Sequence, residues 1–248
     1  MRSVRVALPL TALVLAAGCQ VDTRVAVEVE DDGSGRVEVT VALDEAAAAR
    51  VPELADQLEV DDLVADGWTV TGPAPEADGS TRIRASKGFD SAEEAPSVLA
   101  EVAGAEGPFR DLQVVSRPTL LDDVWVLDGT VDLTAGLAGF SDDALRARLD
   151  GTDVGRPVAE IEAEAGRPIA DIVTFEVAVR LPGELATNGG IDGERAVWAP
   201  RLGERLDLAA TGTTLRTTTA LWLGAAGVAL AALVALVARR AFSWRRHR

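Results

Sequence analysis

Cys19 is the single cysteine among 248 residues, and it stands directly after Leu15-Ala16-Ala17-Gly18. A lone thiol cannot close an internal disulfide, so its chemistry is that of a nucleophile open to covalent modification. The only histidine is His247, at the far end of the chain, and there is no tyrosine. A His-based nucleophile triad and His/Cys zinc sites are therefore excluded by composition, and neither a catalytic residue nor a metal ligand is assigned. No phosphate-cradling glycine loop follows a strand. With 40 Asp and Glu, two carboxylates at glycosidase spacing are expected by chance and carry no reaction on their own. Asp31-Asp32-Gly33-Ser34-Gly35 lacks the remaining ligands of a calcium loop and reads as a turn. The chain is expected not to be an enzyme and to use no cofactor. Binding is left to apolar surface. Trp68, Trp125, Trp198, Phe89, Phe109, Phe140 and Phe175 read first as core, but where a sheet curves away from a helix such rings line a cavity. Trp68, Trp125, Phe175 and Trp198 are the candidate ligand-binding residues.

The elements that position Cys19 come at the front of the chain. Arg2 and Arg5 precede an apolar stretch from Val6 to Ala17, and small residues then lead to Cys19. This is the layout of a secretory signal over residues 1–18, too short to span a bilayer as a helix. The last residues resemble a bacterial lipobox, in which cleavage falls before a cysteine that already carries diacylglycerol, so Cys19 is the expected lipidation site.

Near the other end, residues 220–238 form an uncharged run, about 28 Å long as a helix, close to the roughly 30 Å of a hydrocarbon core. Five arginines follow within residues 239–248. Such clusters stay on the cytoplasmic side, which places the intervening domain outside the plasma membrane. The expected organisation is a signal (1–18), an extracytoplasmic domain (19–210) with an insertion at 141–167, a Thr-rich linker (211–219), a transmembrane helix (220–238) and a basic cytoplasmic tail (239–248).

Two of the 24 basic residues belong to the signal and five to the tail, leaving 17 against 40 acids, a balance of −23. A surface of that sign does not neutralise phosphates, so nucleic acid is excluded as a partner. Attraction to anionic headgroups is disfavoured for the same reason. The bland consequence of the acid is a well-solvated surface. Arg outnumbers Lys 23 to 1, in keeping with a GC-rich coding genome such as an actinobacterium's.

Along the domain, Val25, Val27 and Val29 alternate with polar residues, as do Val37, Val39 and Val41 beyond the turn at 31–35, which predicts a β-hairpin. Asp44 precedes an Ala-rich helical pattern running to Asp66-Gly67, broken near Pro52. Trp68–Thr71 and Thr81–Ser86 predict a second hairpin. Ser91 and Glu94 form a capping-box pattern ahead of a helix with Ala95, Val98, Leu99 and Val102 at helical spacing. Phe109–Arg117, Asp122–Leu133, Ile169–Leu181, Arg195–Ala199 and Arg205–Ala209 are predicted strands, with a short helix from Ser141 to Leu149. The expected fold class is α+β: a mostly antiparallel curved sheet of eight or nine strands packed with two or three helices, plus one C-terminal transmembrane helix.

The closing stretch, Val177-Ala178-Val179-Arg180-Leu181-Pro182-Gly183-Glu184-Leu185 with Asn188-Gly189 and Val197-Trp198-Ala199, resembles the mycobacterial LppM-type lipoprotein domain. The order of elements fits the same family. That resemblance implies an envelope-facing fold, proposed in the family to hold lipid or glycolipid, with no established catalysis. Taken with the residues, the expected function is a membrane-anchored, non-catalytic envelope lipoprotein binding an apolar or amphiphilic molecule. The alternative is a tethered protein-interaction or assembly module with a filled core.

Overall fold

The computed structural model describes residues 19–50, 61–104, 107–119, 121–136 and 158–215. The expected signal, transmembrane run, basic tail and helix 141–149 lie outside the described residues. Among the described residues, eleven strands form two sheets. β1 (Val21–Val29), β2 (Gly35–Leu43), β3 (Thr69–Pro75), β4 (Thr81–Phe89), β7 (Val173–Arg180), β9 (Gly190–Asp192) and β10 (Arg195–Trp198) make the larger, in the order β3-β4-β2-β1-β7-β10-β9. β5 (Phe109–Pro118), β6 (Asp122–Asp132), β8 (Glu184–Thr187) and β11 (Arg205–Leu215) make the smaller, in the order β5-β6-β11-β8. All pairings are antiparallel except β1 with β7.

The expected fold class is corrected on this point. The helices are short: α1 (Glu45–Ala48), α2 (Asp61–Ala65), α3 (Ala95–Ala103) and α4 (Val158–Ala165). The architecture is predominantly β, and none of the helices described is long and apolar enough to cross a membrane. The C-terminal membrane helix expected at residues 220–238 is not part of the fold described, since that run lies outside the described residues. The Thr-rich segment expected as a linker is a strand as far as Leu215, with Thr211–Leu215 paired to Val126–Asp122. Threonine is β-branched and suits a half-buried pleat, a preference that outweighs the linker look of a polar repeat.

The two edge-of-turn motifs repeat. Asp32 Oδ1 accepts from the Ser34 N–H (3.0 Å) and hydroxyl (2.6 Å), and Asp78 Oδ1 does the same with Ser80 (3.0 and 2.7 Å). Each Asp-Gly-Ser closes a hairpin in the larger sheet, the Asp side chain imitating a backbone turn. These bonds hold both carboxyls below the usual aspartate range. The first motif thus serves the turn.

α1 starts where Asp44 caps it, Oδ1 accepting from the Ala47 N–H at 2.7 Å. The predicted capping box at Ser91 takes another form: Ser91 makes no cap bond, and a 3-10 turn (Ala92–Glu94) leads into α3. The predicted strand from Ile169 begins instead with a 3-10 turn (Ile169–Asp171) before β7.

Alternation sets the core. Val25, Val27 and Val29 of β1, Val177 and Val179 of β7, and Trp125, Leu127 and Val131 of β6 are all buried in one cluster with Leu208 and Ala210 of β11 and with Val98 and Leu99 of α3. The opposite face of the larger sheet carries charge in pairs: Arg24 with Glu176 (2.7 Å), Arg84 with Glu38 (3.3 Å), and Glu28 between Arg36 (2.7 Å) and Arg195 (2.6 Å). Glu28 is only 8% exposed. Burial pushes its carboxyl up, but the Arg195 hydrogen bond and the charges of Arg36, Arg195 and Arg180 outweigh that and hold it below its ordinary value.

Candidate functional site

The central strands place a row of side chains on the inner face of the larger sheet, at a spacing of two. In register, Val21 lies between Leu43 and Val173, Thr23 between Val41 and Phe175, Val25 between Val39 and Val177, and Val27 between Val37 and Val179. The row is not packed evenly. Val27, Val37, Val177 and Val179 are at most 2% exposed, whereas Val21, Thr23, Val39, Val41 and Val173 are half-buried. The space beneath the sheet is filled at the β1–β2 turn and open at the end where β1 begins.

A cavity of about 320 Å³ occupies that open end. The sheet contributes Val21, Thr23, Val25, Val39, Val41, Val173 and Phe175. α3 contributes Leu99, Val102 and Ala103, which share one helix face through their spacing of three and four. Phe109 from the start of β5 and Leu202 from the β10–β11 connection complete the wall. Thr23 is the only polar side chain of the twelve. Val25, Leu99 and Phe175 are buried and form the floor, and the Phe109 and Phe175 rings meet in a tilted pair, centroids 6.3 Å apart. A small-molecule site is usually concave and mostly apolar, and this one can exclude water from a hydrocarbon segment while offering almost nothing to a polar group.

Of the four sequence-predicted ligand residues, Phe175 lines the cavity and the three tryptophans lie elsewhere. Trp68 is buried where β3 begins; its Nε1 donates to Glu101 of α3 (2.9 Å), which also accepts from Lys87 (2.6 Å). The Lys87 bond foremost holds the Glu101 carboxyl below its usual range. Trp198 donates from Nε1 to Asn188 Oδ1 (2.8 Å), which also accepts from the Ala209 N–H (3.0 Å), while Asn188 Nδ2 donates to the Asp207 carbonyl (2.9 Å). That clasp joins β10 of one sheet to β11 of the other. Trp125 is buried in β6 beside Gly33, and its Nε1 has no hydrogen-bond partner among the described residues. Large rings are the natural sequence signal for a pocket. The wall is instead mostly aliphatic, and its signal is the alternation of β1, β2 and β7 together with the spacing of α3.

Cys19 is half-buried two residues before β1, and its carbonyl accepts a hydrogen bond from Arg167. A second recess of about 490 Å³ lies at the opposite end of β1, around Glu30, Asp31, Arg180, Pro182 and Ile191. It is built on the Arg180–Glu30 ion pair and does not suit an apolar occupant. Among the described residues, no three His, Cys, Asp or Glu side chains converge as a metal site would require.

A two-sheet β domain with an apolar hollow between sheet and helix is the class of protein that these features define. The LppM domain family matches over residues 20–214, and the chain belongs to that family. The turn motifs that carried the resemblance are accounted for: at Gly183, φ is +87° and an added Cβ would sit 2.1 Å from the Thr213 carbonyl oxygen. Among solved structures, the NMR structure of the folded domain of Mycobacterium tuberculosis LppM is similar, at 17% identity over 82% of this chain and 94% of that one, with a TM-score of 0.43. No curated protein matches.

Proposed function

We propose that this protein is a non-catalytic envelope lipoprotein, held at the plasma membrane by lipid on Cys19, whose domain takes a hydrocarbon segment of a lipid or glycolipid into the cavity beneath β1, β2 and β7. The observation that supports this reading is the apolar hollow of about 320 Å³ with one polar side chain in its wall. At about 30 Å³ for a water molecule, close to the size of a methylene, it accepts roughly ten carbons of a chain. A longer acyl chain would leave its head and upper carbons outside, at the half-buried rim formed by Val21, Val41, Val102 and Val173. The alternative, an interaction module without a small ligand, calls for a core filled along its whole length; the uneven packing along β1 favours the first.

The test is titration of the full-length Cys19→Ala protein with cis-parinaric acid, followed by its fluorescence. Saturation at one probe per chain, in competition with a phospholipid, is expected. Absence of saturable uptake by folded protein refutes the ligand reading and leaves the interaction module.

A further inference from the structure

The cavity opens at the end of the sheet where β1 begins, and Cys19 lies two residues before the first of its wall side chains, Val21. Successive side chains of a strand alternate in direction, so position 19 has the parity of Val21, Thr23 and Val25, the three β1 residues in the wall. The segment is also pinned. The Val21 N–H bonds the Ile172 carbonyl at 2.9 Å, the Gln20 carbonyl accepts from the Asp44 N–H at 3.0 Å, and the Cys19 carbonyl accepts from Arg167. The thiol is therefore held at the rim by contacts on both sides of β1 and cannot drift far from the opening.

We propose that an acyl chain of the diacylglyceryl group on Cys19 itself occupies the cavity, so that the domain carries its own lipid as a resident, displaceable plug. This rests on the reading that the cavity holds a hydrocarbon chain. At about 3.3 Å per residue, Cys19 stands within roughly 7 Å of Val21, a span that a glyceryl linker covers with the acyl chain still whole. A chain leaving the bilayer gives up an apolar surrounding and gains another, so transfer between the two is nearly neutral. Filling the hollow then tips the balance, because an unfilled cavity forfeits the contacts of its lining. Tethering adds the advantage of a millimolar effective concentration over any free amphiphile. The lipid on Cys19 thereby regulates the site. An external lipid enters only by displacing a chain that then returns to the membrane, and the exchange changes how closely the domain sits against the bilayer.

The experiment uses a diazirine-bearing palmitate fed to a bacterial host that expresses the full chain. Membranes are irradiated, and the digested protein is analysed by mass spectrometry. The expected result is adducts on the peptides containing Leu99 and Phe175 whose lipid is still joined to the Cys19 peptide, reduced at least tenfold in Val39→Phe. Adducts at those residues carrying free lipid and no Cys19 peptide overturn the plug while the ligand reading survives. No adduct at either residue, in both this protein and Cys19→Ala, overturns both. Absence of lipid on Cys19 overturns the plug outright.

Discussion

Val39 projects from β2 into the middle of the cavity wall, level with Val25 and Val177. Val39→Phe keeps a residue that suits a strand and adds four carbons. At about 30 Å³ each they fill roughly 120 Å³ of the hollow, a little over a third of its 320 Å³. A ligand then loses burial for about four methylenes, about 3 kcal/mol at ~0.8 kcal/mol each, or a weakening of roughly 200-fold. Stability moves the other way. Empty volume costs on the order of 24 cal/mol per Å³, which sets an upper limit near 3 kcal/mol, and imperfect fit reduces the gain to about 1–2 kcal/mol. For a domain of this size that raises Tm by about 2–8 °C. Both effects are read on the full-length Cys19→Ala background, by parinaric acid titration and by thermal unfolding in near-UV circular dichroism. Tighter folding with lost uptake is the signature of a preformed cavity that serves a ligand. If the variant binds the probe as well as its parent, the cavity is not the binding site. If Tm falls by several degrees, the space beneath β2 is already filled and the volume argument fails.

Asn188→Ala removes an acceptor from the Trp198 indole and the Ala209 N–H, and it is expected to cost about 2 kcal/mol by denaturant unfolding with probe affinity unchanged. Trp198→Phe abolishes a made hydrogen bond while Trp125→Phe removes an unpaired N–H, so the first is expected to destabilise by about 1 kcal/mol more than the second in paired urea melts. Glu28 has a folded-state pKa below its ordinary 4.5, so its stabilisation is complete above that value and is lost as pH falls through the depressed one. Glu28→Gln, which removes the charge-assisted hydrogen bonds to Arg36 and Arg195, should lower stability by about 2 kcal/mol at pH 7, and the difference from the parent should shrink toward pH 3, as followed by urea midpoints across pH. Gly183→Ala is expected to lower Tm by several degrees, since it places a methyl at positive φ against the Thr213 carbonyl; an unchanged Tm would count against that turn geometry.

Much of the strand pattern is legible because alternation sustained over seven or more residues fits little besides a half-buried strand: β1, β2 and β7 follow from their valines, and β6 from the short apolar run Val124–Leu127. β8 and β9 are not, because four- and three-residue strands flanked by Pro182-Gly183 and Asn188-Gly189 carry more turn signal than strand signal. Helical spacing in the Ala-rich stretch after Asp44 predicts one helix or two short ones broken near Pro52; α1 and α2 lie at its two ends, and residues 51–60 between them lie outside the described residues.

The amino-acid order alone settled that positions 20–219 hold no histidine, cysteine or tyrosine, which face of β1, β2 and β7 is apolar, and that Cys19 is the one thiol. Those are properties of residue type and of a period of two. It could not say which tryptophans meet solvent, partner or ligand, because Trp68, Trp125 and Trp198 each lie against residues distant in the chain or, for the Trp125 nitrogen, find no partner among those described. Nor could it tell that one apolar row would be tightly packed at Val27 and hollow at Thr23. That difference arises where α3, Phe109 and Leu202 approach the sheet without closing on it, a matter of how separate elements meet in space.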